Sequence, residues 1–283
     1  MMRALVSVEL NKAFKNPWFY IAALIGCSLA IASAYMSIQS QYNGGLSARE
    51  DEWLGTGATG AFAAWILVGT GDLFVSGVFF YILPLLVLIP YCWSLQTEIL
   101  SGALAHEYTS HTRRDTLAAR YIAVFVSSGA TAVIPLLVNQ VVLMCFVPSS
   151  VPEVTSNIYM GMREEEIWTH LYFTWPALYV AVNVAYDFVL AGIWGGLVLS
   201  VSTILENRVV LLVGSYVAAL AIDFVNNYLF YILNINGFTF SLLRLFHAGQ
   251  AGFRTASPMI AIPLLMAATS AYLLRRFTRK DLL

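Results

Sequence analysis

The chain has 283 residues, 59% of them hydrophobic and 11% charged, with a formal net charge of −1 and a mean hydropathy of +0.73. Soluble domains carry about 25% charged residues, so this composition excludes an ordinary water-soluble fold. No basic stripe stands clear of the apolar runs, which speaks against a nucleic-acid partner.

In chain order, Met2, Val6, Leu10 and Ala13 fall near one helical face, with Ser7, Asn11 and Lys15 opposite. This predicts an amphipathic N-terminal helix lying on the membrane surface. Asn16–Pro17 then ends it and turns the chain into the bilayer. The apolar run that follows is too long for a signal-peptide core and lacks a small-residue cleavage site, so it reads as a retained first span. A bilayer core of about 30 Å needs about 20 helical residues. Six segments meet that need: 17–38, 73–95, 121–147, 172–203, 209–232 and 258–277. The expected fold is an all-α membrane protein of six transmembrane helices, forming a single domain over residues 1–283. Pro84, Pro90, Pro135 and Pro263 predict kinks rather than breaks, because neighbouring helices can take up the freed carbonyls.

With both ends inside, inner segments hold Arg3, Lys12, Lys15, Arg113, Arg114, Arg120, Arg208, Arg275, Arg276, Arg279 and Lys280. Outer segments hold Arg49, Arg163, Arg244 and Arg254. Eleven against four is a positive-inside bias that predicts both termini in the cytoplasm. The outer acidic clusters Glu50–Asp51–Glu52 and Glu164–Glu165–Glu166 read as solvated loop surface. Residues 233–257 are too apolar for a plain loop and predict short re-entrant helices before the last span, which need cover from protein or a water-filled cavity.

No G-x-x-x-x-G-K-S/T loop occurs, and none of Lys12, Lys15 and Lys280 follows a glycine, so any use of ATP requires another protein. The inner segment from Gln96 to Arg120 is longer and more charged than a hairpin needs. It reads either as a docking surface for a cytoplasmic partner or as a solvated carrier of the positive-inside signal. His106 and His111 beside Glu107 are five residues apart, which rotates them about 140° on a helix and excludes the zinc-protease arrangement. Cys27, Cys92 and Cys145 show neither a pairing pattern nor a metal spacing. No metal site is expected.

Asp187 and Asp223 are acids placed within the fourth and fifth spans. A carboxylate at bilayer depth costs about 3 kcal/mol, so each should face protein or water. Asn183 precedes Asp187 by four residues and Asn226 follows Asp223 by three, placing each pair on one helical face. These residues are candidates for a translocation path or proton relay, or else hydrogen-bonded packing groups. Gly192 and Gly196 form a G-x-x-x-G pair for close helix packing, within the chain or at a dimer interface.

The stretch SVELNKAFKNPWFY resembles the start of permease subunits of ABC-2-type transporters, with Glu9, Lys12, Phe14, Lys15, Pro17 and Phe19 at the matching places. The inner loop is similar through Glu98, Ser101, Gly102 and Arg113 or Arg114, although Ala103 stands where the family often has threonine. The closing FTRKDLL resembles the family's aromatic-basic-acid ending through Phe277, Arg279, Lys280 and Asp281. The resemblance implies a multi-pass subunit of a bacterial plasma membrane, paired with a second permease subunit. Two cytoplasmic ATPase subunits would dock on a loop containing Glu98, Ser101, Gly102, Glu107, Arg113 and Arg114. ATP and Mg would be held by those ATPases, this chain binding no cofactor and catalysing nothing itself. It further implies export of a hydrophobic or amphipathic cargo such as a drug, peptide or lipid. The alternatives are an ion-coupled secondary transporter working through Asp187 or Asp223, and a membrane sensor or immunity protein that sequesters a peptide.

Overall fold

The computed structural model describes residues 2–47, 60–68, 72–102, 108, 112–152, 167–205, 207–233, 239–247 and 256–278. Glu50–Asp51–Glu52, His106, Glu107, His111, Glu164–Glu166 and Arg279–Asp281 lie outside them. Within the described residues the regular structure is all α-helical.

Helix α1 covers Met2–Lys15 and α2 covers Pro17–Ser47. Between them Asn16 takes over as a cap, its Oδ1 accepting from the Trp18 N–H at 3.2 Å. The side of α1 turned to the bundle carries Glu9 and Ala13, while Met2 and Val8 point away. Of the apolar stripe Met2, Val6, Leu10 and Ala13, Ala13 is buried and Val6 and Leu10 are half-buried, while Met2 is exposed and the buried face takes in the Glu9 carboxylate beside them.

After α2, residues 60–68 run as consecutive turns, and every one of them is buried. Asn139 holds this segment: its Oδ1 accepts from the Ile66 N–H at 3.0 Å while its Nδ2 donates to the Ala30 carbonyl at 2.8 Å. Trp65 donates from Nε1 to the Leu136 carbonyl at 3.2 Å, and the Ala61 N–H reaches the Pro148 carbonyl at 3.0 Å. Hydropathy reading assigned these residues to an outer loop. The buried backbone survives there because distant side chains and carbonyls satisfy it.

The predicted second span over 73–95 is not one helix. Helix α3 runs Phe74–Leu86, turns occupy 87–93, and α4 runs Ser94–Leu100. Pro90 has no N–H to give, and the turns tighten to i→i+3 bonds, with Leu88 N–H to Leu85 and Ile89 N–H to Leu86. The carbonyls left over are taken by other elements. Trp194 Nε1 donates to Pro84 at 3.0 Å, Ser128 Oγ to Val87 at 2.7 Å and Asn16 Nδ2 to Pro90 at 2.8 Å. The expectation of unbroken helices held at Pro84, Pro135 and Pro263, each inside a continuous helix, and failed at Pro90.

Helix α5 spans Arg113–Phe146. It starts eight residues before the expected third span because the Thr112 hydroxyl caps the Asp115 N–H at 3.2 Å. A short α6, Thr169–Thr174, is separated by Trp175 from α7, Pro176–Val201, which begins with proline at its first turn. Helices α8 (Arg208–Leu233), α9 (Leu242–Phe246) and α10 (Ser257–Thr278) complete the chain. Among the described residues, five helices are long and apolar enough to cross a bilayer: those over Pro17–Ser40, Arg113–Phe146, Pro176–Val201, Arg208–Leu229 and Ser257–Thr278. The molecule is a multi-pass helical membrane protein.

Helix α5 is the axis, packed along α2 and α7, with α1 across its first turns and α10 on α7. Gly192 and Gly196 meet this chain's own α5. A Cβ at Gly192 would stand 2.5 Å from the Phe125 ring, and one at Gly196 would overlap the Tyr121 ring. Residues 239–247 carry α9, whose Leu242, Leu243, Leu245 and Phe246 are buried.

Candidate functional site

The C-terminal half of α1 and the first turns of α5 meet α4 in a four-charge node. Arg120, two turns into α5, is fully buried, and burying a guanidinium costs several kcal/mol unless it is paired and hydrogen-bonded. Two carboxylates meet that cost. Arg120 Nε donates to Glu9 Oε2 at 3.3 Å, and its Nη2 donates to Glu98 Oε2. Lys12 reaches Glu9 Oε1 at 2.6 Å and lies 3.8 Å from Glu98 Oε1. The Tyr91 hydroxyl donates to Glu9 Oε2 at 2.9 Å. The charges cancel, and three elements far apart in sequence become one block.

Burial pushes the Glu9 carboxyl up, but Arg120 and Lys12 together with the hydrogen bonds from Lys12 and Tyr91 outweigh it and hold the group below its ordinary value. Glu9 is therefore a carboxylate at neutral pH.

Among the described docking residues, Glu98 alone enters this node. Ser101 and Gly102 lie exposed just past α4, with Gly102 in the left-handed region (φ +73°) that closes a helix end without steric cost. Arg114 is exposed at the start of α5, and Arg113 stacks 5.4 Å from the Tyr108 ring centre. Glu107 lies outside the described residues. Arg208, at the start of α8, stacks 5.5 Å above Trp93, so the same end of the bundle also joins α8 to the start of α4.

The residues proposed from depth separate into two places. Asn183 and Asp187 share a buried face of α7 but do not pair: Asn183 Nδ2 donates back to the Tyr179 carbonyl at 2.9 Å. Asp187 is 1% exposed, and its Oδ2 has no hydrogen-bond partner among the described residues. Asp223 and Asn226 instead tie α8 to the segment before α9. Ser241 Oγ donates to Asp223 Oδ1 at 2.5 Å, and Asn226 Oδ1 accepts from Thr239 Oγ1 at 3.2 Å and the Phe240 N–H at 3.0 Å. Asn227 Nδ2 donates to Asp223 Oδ2 at 3.1 Å, and Arg244 Nη2 donates to Asn227 Oδ1.

Sequence reasoning counted Arg120 only as a topological charge and missed Tyr91 and His247. An arginine followed by uninterrupted apolar helix was the available signal for Arg120. Nothing local marks Tyr91. No protein-family model, curated protein or solved structure matches this chain.

Proposed function

We propose that the chain is the membrane subunit of an ATP-driven exporter of the ABC-2 type, moving a hydrophobic or amphipathic substrate outward. Two separate ATPase subunits supply the energy and hold ATP and Mg, and a second permease subunit completes the path. On this reading α3, the turns and α4 together make a sixth, broken crossing. Both termini face the cytoplasm, and the α9 segment dips back from outside.

The observation that carries this reading is the Glu9–Arg120–Glu98 node. A force on α4 from below is passed through a buried ion pair to the 34-residue α5 and to α1, instead of being absorbed by a flexible loop. The motifs around Glu9, Glu98, Ser101 and Gly102 that resemble the family fall at this same end.

The test is purification of the full chain from its native membrane in mild detergent. An ATP-hydrolysing companion is expected to co-purify, and Arg113→Glu with Arg114→Glu to weaken that association while membrane insertion is unchanged. Unaltered co-purification and transport in the double variant would count against it. One observation favours a second reading: Asp187 is a buried acid with an oxygen that has no partner among the described residues, as an ion carrier requires. Transport by the chain alone in liposomes under a pH gradient, lost in Asp187→Asn, would replace the first reading with the second.

A further inference from the structure

The end of α8 remote from Arg208 holds a cavity of about 150 Å³ that the proposed export cycle does not use. It is lined by Gly77, Phe80 and Tyr81 of α3, Asp223 and Asn227 of α8, and Leu243, Arg244 and His247. A space of that size has room for several waters. A group of one anionic and one ammonium centre joined by two methylenes fits such a volume.

Three features mark it as built for a ligand. First, His247 is held with its ring stacked on Phe80, 4.1 Å between centres and 14° between planes, and its buried Nε2 has no hydrogen-bond partner among the described residues. Burial lowers its pKa to about 4, so the ring is neutral at pH 7 and offers Nε2 as a hydrogen-bonding atom. An unsatisfied buried polar atom costs about 1–3 kcal/mol, which a bound group would recover. Second, the wall carries opposite charges: Arg244 Nε and Asp223 Oδ1 form a long, partly exposed ion pair at 4.0 Å, which a zwitterion can bridge. A carboxylate accepts about four hydrogen bonds, and Asp223 receives two at bonding distance, from Ser241 and Asn227. Third, Phe80 and Leu243 supply an apolar floor between the two charges.

Depth points to the same ligand class. Asp223 lies fifteen residues beyond Arg208, about 22 Å along the helix at 1.5 Å per residue. In a hydrocarbon core of about 30 Å that is its far third, within reach of the headgroups of the leaflet opposite Arg208. We infer that this cavity binds a zwitterionic amino-phosphate group, with the ammonium on Asp223, the phosphate on Arg244, and a hydrogen bond to His247 Nε2. The chemistry is shared by a phosphatidylethanolamine headgroup and by free phosphoethanolamine. Binding needs no ATPase, so its test is independent of the export reading.

The full chain, purified in detergent, is presented with equal amounts of short-chain phosphatidylethanolamine and phosphatidylglycerol, and retained lipid is read by native mass spectrometry. Phosphatidylethanolamine is expected to be retained about tenfold better, the worth of one hydrogen bond to a charged group. His247→Phe, which keeps the ring stack and deletes the Nε2 that accepts from the ammonium, should remove most of that preference, and Arg244→Gln, which loses the phosphate contact, should lower retention of both lipids. Competition by free phosphoethanolamine at comparable concentration would assign the site to a free zwitterion, and competition only at large excess would assign it to lipid. Either result supports the inference. Equal retention of the two lipids by the wild type, an undiminished preference in His247→Phe, or undiminished retention of both lipids by Arg244→Gln, overturns it. If His247→Phe lowers the melting temperature, total lipid retention by Arg244→Gln decides, its side chain being 37% exposed in the native fold.

Discussion

The molecule is tied by charge at two ends, and the two ties are built differently. At one end Arg120 is wholly buried and bound to carboxylates 111 and 22 residues away in sequence. At the other, Asp223 binds Ser241 and Asn227, 18 and 4 residues away, and Arg244 remains more than a third exposed. The first tie closes long loops and joins α1, α4 and α5. The second shapes one connection between neighbouring helices. A buried pair loses little to screening, and removing one partner strands the other charge. A half-exposed pair is worth much less. The node near α1 should therefore govern global stability, and the Asp223 cluster should govern local order.

The largest effect should come from Arg120→Met, which leaves Glu9 buried without its main counter-charge. A loss of about 3–5 kcal/mol is expected by reversible unfolding in mixed micelles. Adding Glu9→Gln should return part of that loss, and a double variant no more stable than the single one would show that the node is not coupled. Next in size, Gly192→Leu drives a side chain into Phe125 and should cost about 1–3 kcal/mol. If the dimer interface were the true site of this glycine, the monomer's melting temperature would not move. Asp223→Asn weakens the Ser241 bond and should cost about 1–2 kcal/mol. Faster hydrogen exchange at Phe240 and Arg244, with little change in α5, would separate this local effect from the global one.

The smallest effects concern pH, and they sharpen the same contrast. Glu9 has its folded pKa below the ordinary 4.5, so its contribution is complete above that range and is lost as pH falls through it. His247 is lowered from 6.5 to about 4, so the unfolded chain binds the proton first on acidification. Its contribution is complete above about 6.5 and is lost as pH falls towards 4. Melting curves of wild type between about pH 7 and about pH 5 should slope downward with acidification, and His247→Phe should flatten that part. Glu9→Gln should flatten only the part below it.

Much of the framework was legible in the residues because hydropathy is a local quantity. The runs after Pro17, after Arg120 and after Arg208 are apolar long enough to need no tertiary information. The Asn16–Pro17 junction was legible for the same reason, since proline chemistry acts on the adjacent residue. The break at 87–93 was not, because whether prolines kink or interrupt a helix depends on who takes the carbonyls. Trp194, Ser128 and Asn16 come from three other parts of the chain. The buried turns at 60–68 were illegible likewise: a nine-residue apolar run is too short to read as a span, and its cover comes from Asn139 and Pro148. For the candidate site, Glu9 and Glu98 were legible through their motifs. Their meeting at Arg120 was not.

By itself, then, the sequence determined that this chain lives in lipid as a helical bundle and where its long helices lie, since each such helix satisfies its own backbone. Only the tertiary structure decided which charged side chains meet, where a helix breaks and which polar atoms are left over. Those outcomes depend on pairings across tens to more than a hundred residues, and electrostatics between such groups exists only once packing has removed the water between them.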